Sequence, residues 1–179
     1  KIFFCLLMAS TSIVQSQVLI NEFDADTPST NDKQFIELKS ETPNFSLNGY
    51  VLVFFNGTGS LADTSYFTIS LNGLTTDVNG LILIGNNLVS PVPERIFGIG
   101  SIQNGPDGVG LYLGSTSDFP AGTIATTSNL IDALVHSNNA TAVPSLQALL
   151  GVSTQVNENV NSLGTTQSIQ RILKKGMLN

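Results

Sequence analysis

The sequence predicts an all-β protein, folded as an antiparallel β-sandwich with one short helix near the C-terminus. About seven short apolar or alternating runs are separated by Gly-, Asn- and Pro-containing turn signals. Val, Ile, Thr and Phe recur within those runs, as is typical of strands. Only one segment carries apolar residues at helical spacing. Residues 17–172 are therefore predicted to form a single sandwich domain.

The first two predicted strands, residues 18–23 and 35–38, enclose an acidic, turn-rich connection. The next run, residues 50–55, is continuously apolar and follows Gly49, which favours a central strand that is buried on both faces. The remaining strands are predicted at residues 65–71, 81–84, 109–113 and 130–135. Residues 85–107 are predicted as loop, and no internal repeat is expected.

A change of pattern near the C-terminus predicts the helix, at residues 143–151. Leu146, Leu149 and Leu150 recur at helical spacing, Pro144 stands near the start, and Gly151 follows the last apolar residue. Beyond it, residues 168–172 are interpreted as a final edge strand or as part of a tail.

Residues 1–16 have the pattern of a secretory signal peptide. Lys1 precedes an apolar core at residues 2–9, and Val14 and Ser16 occupy the positions that signal peptidase reads, so cleavage is predicted before Gln17. The apolar run is shorter than the roughly 20 residues that span a bilayer. A buried first strand is the alternative. We expect residues 173–179 to be a tail and both ends of the chain to be incomplete.

The composition excludes several kinds of chemistry. The single cysteine, Cys5, lies in the predicted signal, so the mature domain has no thiol for disulfides, redox chemistry or metal binding. Without Lys1, six basic residues face thirteen acidic ones. An acidic body repels phosphate backbones, so nucleic acid is not expected as a partner. Cations, basic proteins or a mineral surface fit the charge better.

Several segments, in order along the chain, resemble the lamin-tail domain, above all its secreted extracellular versions. They are residues 18–28, 35–38, 47–57, 101–112, 118–123, 130–135, 155–158 and 168–171. The resemblance implies an immunoglobulin-like sandwich that serves as an interaction or anchoring module. Secreted bacterial members often accompany nuclease or phosphatase domains. One departure is His136, where secreted relatives usually carry an acidic or aromatic residue.

The candidate metal ligands are carboxylates near the first corner. Glu22, Asp24 and Asp26 alternate along the first strand and its extension, and Glu37 lies on the paired strand. Calcium takes six to eight oxygen ligands, so this group predicts a weak calcium site of the millimolar extracellular kind. The alternative is a solvated edge strand in which Asp24 and Asp26 serve turn geometry. No other cofactor is predicted.

No catalytic residues are predicted, and the protein is not expected to be an enzyme. His136, Ser137 and Asp132 invite comparison with a hydrolase triad, but neighbouring strand residues point to opposite faces and a nucleophile elbow is absent. His136 is therefore predicted to be a surface residue. A single histidine without cysteine argues against zinc.

Three N-glycosylation sequons, at Asn44, Asn56 and Asn139, fall in predicted loops. In a eukaryotic secretory pathway we expect at least one of them to carry a glycan.

The leading functional hypothesis is a secreted, non-enzymatic structural or binding module of an extracellular matrix, such as a calcified shell or skeletal matrix. Its expected partners are an extracellular protein, a glycan or a mineral surface, with no membrane contact after signal removal. The alternative is an accessory domain of a larger secreted nuclease or phosphatase, which a full transcript would reveal. A carbohydrate-binding sandwich is disfavoured because the chain has no Trp and only three Tyr.

Overall fold

The computed structural model describes residues 18–139 and 141–172, and it confirms the all-β sandwich. Two five-stranded sheets pack face to face around an apolar core. The predicted signal at residues 1–16 and the predicted tail at 173–179 lie outside the described residues. Within the described ranges, no helix has the length and apolar character to cross a membrane.

Each sheet combines strands from distant parts of the chain. The first sheet contains, in spatial order, β10 (Ile169–Gln170), β1 (Val18–Asp24), β2 (Phe35–Ser40), β5 (Leu81–Gly85) and β6 (Arg95–Ile96). The second sheet contains β4 (Ser65–Ser70), β3 (Tyr50–Asn56), β7 (Asp107–Leu113), β8 (Leu130–Ser137) and β9 (Gln155–Asn157). The chain crosses from the second sheet to the first between β9 and β10.

All seven predicted strands are present, and the differences lie in the shortest elements. β6 falls within the predicted loop at 85–107, and β9 falls in a polar stretch without a predicted strand. Both pair in parallel with their neighbours, β5 and β8, so the sandwich is antiparallel except at these two edges. Strands of two or three residues have too little sequence pattern to be recognised, because their neighbours rather than their own propensity hold them.

Two short α-helical segments accompany the sheets in the described part of the chain. The predicted C-terminal helix is confirmed as α2 (Pro144–Leu149), with Pro144 in its first turn. A single irregular turn, α1 (Pro28–Asn31), lies in the acidic connection between β1 and β2.

The continuous apolar run of β3 is explained by two separate cores. Leu52 and Phe54 point between the sheets, whereas Val51, Val53 and Phe55 point to the other face, where α2 and nearby loops cover them. The prediction of a central strand buried on both faces is therefore confirmed. Burial of one such large apolar side chain contributes about 1.5–3 kcal/mol, so β3 anchors both cores.

A four-residue repeat, Ser-Leu-Asn-Gly, was not expected from the sequence and forms a symmetric pair of turns. Residues 46–49 precede β3, and residues 70–73 end β4. The amide of Gly49 donates to Oδ1 of Asn72, and the amide of Gly73 donates to Oδ1 of Asn48, both at 2.7 Å. Both glycines have a positive φ of about 80°, which side chains of L-residues rarely adopt. The two turns thus close one end of the β3–β4 hairpin.

Candidate functional site

The acidic connection lies at one end of the sandwich, where loops of both sheets meet. We call Asp24, Asp26 and Glu158 the acidic cluster. Asp24 ends β1, Asp26 lies two residues beyond it, and Glu158 directly follows β9 of the other sheet. Their charges interact, since Asp24 and Asp26 both raise the pKa of Glu158. The cluster therefore joins residues that are far apart in the sequence.

Asp26 is the centre of a hydrogen-bond network. Its Oδ1 accepts from the side-chain amide of Asn104 at 2.7 Å, and its Oδ2 accepts from that of Asn138 at 3.1 Å. Asn104 in turn accepts from the amide of Asn31 at 3.1 Å. The carboxylate thus connects β1 to the loop before β7 and to the end of β8. Charge-assisted bonds of this kind are about twice as strong as neutral ones.

A buried pair of side-chain amides, Gln34 and Asn86, holds the chain next to Asp26. Gln34 is fully buried, and its Nε2 donates to the carbonyl oxygens of Ala25 and Ile102, both at 2.6 Å. Its Oε1 accepts from the amide of Ile102 at 3.2 Å, and its own backbone amide donates to Oδ1 of Asn86 at 2.8 Å. Asn86 also donates to the carbonyl of Phe97. These bonds satisfy backbone groups that burial would otherwise leave unpaired.

Glu158 is the most deeply buried member of the acidic cluster, with 3% of its surface exposed. Its amide donates to the carbonyl of Ser137 at 2.8 Å, which places it at the end of the parallel β8–β9 pair. The amides of Ala25 and Asp26 favour its ionised form. Burial and the charges of Asp24 and Asp26 outweigh them and raise its pKa to about 8. Its Oε1 has no hydrogen-bond partner among the described residues.

Asp24 has a similar environment. Burial, with the charges of Asp26 and Glu22, raises its pKa to about 7, although the amide of Asp26 opposes the shift. Its Oδ1 is buried, and the described part of the chain offers it no hydrogen bond. The pKa values of Asp24 and Glu158 therefore both lie near neutral pH, well above those of ordinary carboxyl groups.

The four predicted metal ligands are only partly brought together. Asp24 and Asp26 belong to the acidic cluster, whereas Glu22 and Glu37 lie opposite each other on β1 and β2 and line a depression of about 350 Å³ on the first sheet. Glu22 accepts from the hydroxyl of Ser168, and Glu37 accepts from the amide of Asn21 at 2.6 Å. The β-bulge at Asn21 and the strand register place them there.

No preformed metal centre of three or more His, Cys, Asp or Glu side chains occurs within residues 18–139 and 141–172. The weak calcium site predicted from Glu22, Asp24, Asp26 and Glu37 stays a prediction. A cation at this end of the molecule would draw on fewer carboxylates, with backbone carbonyls, side-chain amides and water completing its shell.

The prediction that His136 is a surface residue is wrong. It is 1% exposed, its ring lies 4.5 Å from that of Phe23, and neither ring nitrogen has a hydrogen-bond partner among the described residues. Burial lowers its pKa to about 3, so it is neutral. β8 continues to Ser137, beyond its predicted end, and β9 pairs beside His136. These two features bury the ring.

The residues of the rejected triad engage in other contacts. Asp132 forms an ion pair with Arg171, with Oδ2 and Nη2 2.8 Å apart, and also accepts from the amide of Ile20. The hydroxyl of Ser137 donates to the carbonyl of Asn139 at 2.6 Å. These contacts connect neighbouring segments of the fold.

Asp107 was not singled out from the sequence, yet it is a buried carboxyl group opposite His136 in the β7–β8 register. Its Oδ1 accepts from the amide of Gly57 at 2.8 Å, and burial raises its pKa to about 6. No feature of the local sequence Pro-Asp-Gly distinguishes it from an exposed turn residue. Its burial follows from the position at which β7 begins.

The three glycosylation sequons differ in accessibility. Asn44 is exposed with a positive φ of 54°, and Asn139 is exposed just after β8. Asn56 is half-buried at the end of β3, where its amide donates to the carbonyl of Thr64 at 3.1 Å and its Oδ1 accepts from Gln103. Asn44 and Asn139 are thus the exposed sequons, although the side-chain amide of Asn139 donates to Oδ1 of Asn138 at 3.2 Å.

The member of the acidic cluster that sequence reasoning missed is Glu158. It is the one acidic residue in the otherwise polar and weakly basic stretch 151–179, and this isolation is the only signal that could have marked it. Comparison of the chain with family models, with curated proteins and with solved structures finds no match.

Proposed function

We propose that this protein is a secreted, non-enzymatic structural or binding module of an extracellular matrix. One observation carries the proposal: the polar side chains at the acidic end are tied into contacts that hold loops of both sheets in fixed positions. Asp26 bridges Asn104 and Asn138, and Gln34 bridges Ala25 and Ile102. Such a network suits a rigid scaffold that presents a surface to a partner.

Features of the sequence also support the proposal of a secreted matrix module. Residues 1–16 carry the pattern of a secretory signal, and the domain that follows has no cysteine, so its stability rests on its two apolar cores. The resemblance to secreted lamin-tail domains suggests an anchoring role. The acidic excess favours a basic protein, a glycan with bound cations, or a calcified mineral as the partner.

The experiment expresses the whole chain, with residues 1–16, in eukaryotic secretory cells. We expect the protein in the medium and the deposited matrix, and we expect the medium fraction to adsorb to calcium carbonate. Leu6→Arg, which places a charge in the apolar core of the signal, should keep the protein in the cells. Retention of the unaltered chain in the cytosol would overturn secretion. Failure to associate with either matrix or mineral would overturn the matrix role.

A further inference from the structure

We propose that Asp24 and Glu158 bind a single hard divalent cation of the calcium class, held between the end of β1 and the crossover that follows β9. Such a site would exist whether or not the protein is extracellular. It differs from the site predicted from the sequence, because Glu158 takes the place of Glu22 and Glu37.

The first support is a pair of buried oxygens without partners. Glu158 is 3% exposed, and its Oε1 lacks a hydrogen bond among the described residues; Oδ1 of Asp24 is in the same position. Backbone amides of Ala25 and Asp26 act on Glu158, and that of Asp26 acts on Asp24, but one buried oxygen of each carboxyl group is left without a partner, which is costly when the group is ionised. A ligand that satisfies both oxygens would relieve this cost.

The second support is the sign of the surrounding charge. The charges that act on Glu158 are Asp24 and Asp26, and those that act on Asp24 are Asp26 and Glu22, all of them acidic. His136 packs at a tilt against Phe23, one residue before Asp24, and burial keeps it neutral. A divalent cation would offset this negative charge directly, as bound cations do at carboxylate clusters.

The third support is the position of Asp26. Its two oxygens already accept from the amides of Asn104 and Asn138, so it is held rigidly beside the other two carboxyl groups. It therefore adds negative charge at a fixed point. The network keeps the end of β1 in place in the absence of the cation, which reduces the ordering that binding requires.

The donor set indicates the kind of cation. The candidate ligands are carboxylate oxygens, and calcium accepts flexible oxygen shells that water can complete. Magnesium requires a near-ideal octahedron, and zinc prefers nitrogen or sulfur ligands. Two carboxylates without a dedicated loop correspond to the weak end of the calcium range, with a Kd of about 10⁻⁴–10⁻³ M.

The test titrates calcium into the chelator-treated full chain at pH 7.5, by calorimetry in two buffers of different ionisation enthalpy and by thermal unfolding. We expect saturable binding at one site, a higher Tm, and proton release seen as a buffer-dependent heat. Asp24→Asn and Glu158→Gln should each weaken binding at least about tenfold, as expected when one of two charged ligands is removed. Glu37→Gln, which lies outside the acidic cluster and does not act on its charges, is the matched control and should bind within about twofold of the unaltered protein, a change under 0.5 kcal/mol.

Three results would overturn the proposal. One is the absence of both heat and a Tm shift up to 10 mM calcium, a concentration about tenfold above the weak end of the expected range. Another is undiminished binding by Asp24→Asn and Glu158→Gln. The third is loss of binding in Glu37→Gln with binding intact in Asp24→Asn and Glu158→Gln, which would locate the cation in the depression on the first sheet. Circular dichroism verifies that each variant is folded. If Asp24→Asn or Glu158→Gln misfolds, the other variant still tests the site.

Discussion

The charge of Asp24, at the end of the first strand, raises the pKa of Glu158, which follows the ninth strand on the opposite sheet. The pair thus couples the two sheets electrostatically at one end of the sandwich. Because the folded-state pKa of both groups lies above its ordinary value, their contribution to stability is full in acid. It is lost as the pH rises through about 7 and 8. A cation would restore stability in that same neutral to alkaline range.

His136→Leu should stabilise the protein most in mild acid. The neutral ring is buried with a pKa near 3, whereas a histidine in the unfolded chain takes up a proton below about 6.5. Stability is therefore lost as the pH falls from about 6.5 towards 3. The free energy of unfolding, measured with urea, should show a larger gain for His136→Leu at pH 5 than at pH 8. His136→Gln also does not titrate, so its stability relative to the unaltered protein should be higher at pH 5 than at pH 8 by the same increment as for His136→Leu, although its polar side chain is buried less favourably. If His136→Leu changed the free energy of unfolding equally at pH 5 and pH 8, the burial of a neutral ring would be contradicted.

The reciprocal turns of Asn48 and Asn72 should behave as one unit. Each side chain accepts from the amide of the other turn's glycine, and a typical hydrogen bond contributes about 0.5–1.5 kcal/mol. Asn48→Ala and Asn72→Ala should each cost about 1 kcal/mol, and the double variant should cost less than the sum, because the first loss loosens the second bond. Strict additivity in urea unfolding would show that the two turns are independent.

Gln34→Ala should be among the most destabilising polar substitutions. It removes three side-chain bonds and leaves the carbonyl groups of Ala25 and Ile102 buried without these donors. We expect a loss of about 2–4 kcal/mol, since each unsatisfied buried group costs about 1–3 kcal/mol. Gln170→Ala, at an exposed position of β10, is the control and should stay within about 0.5 kcal/mol. Equal losses of stability for Gln34→Ala and Gln170→Ala would mean that the buried network contributes little to the free energy of unfolding.

Glycan occupancy should distinguish the three sequons. After expression in eukaryotic secretory cells, Asn44→Gln and Asn139→Gln should each increase gel mobility, because both side chains are exposed. Asn56→Gln should leave mobility unchanged, because its amide is engaged with Thr64 inside the fold. Enzymatic deglycosylation of each variant provides the reference. A mobility shift for Asn56→Gln alone would contradict this assignment.

The fold was predictable where the sequence pattern is long. The continuous apolar run of β3 reflects a strand that is buried on both faces. The spaced leucines of α2 reflect a helix that is buried on one face. β6 and β9 were not predictable, because two or three residues carry no periodicity and their pairing depends on β5 and β8. The signal-peptide and lamin-tail interpretations stay predictions.

The candidate site was half predictable. Asp24 and Asp26 are two residues apart in a segment rich in acidic residues, so the local sequence pattern identifies them. Glu158 joins them only because β9 pairs in parallel with β8 and brings the following residue to the end of β1. The burial of His136 has the same origin. Long-range pairing of short strands therefore determines both features, and one sequence contains little information about such pairing.

The most direct test of the acidic cluster is a site-resolved ¹³C NMR titration of the carboxyl groups, with chelator and then with calcium. Without calcium, Asp24 and Glu158 should titrate near pH 7 and 8. Asp77, whose pKa the backbone amides of Leu81 and Asn79 lower, is the internal control. Calcium should lower the pKa of Asp24 and Glu158 and leave Asp77 unchanged, because a bound cation favours the ionised form. Ordinary pKa values near 4 for both residues, unaffected by calcium, would contradict the account.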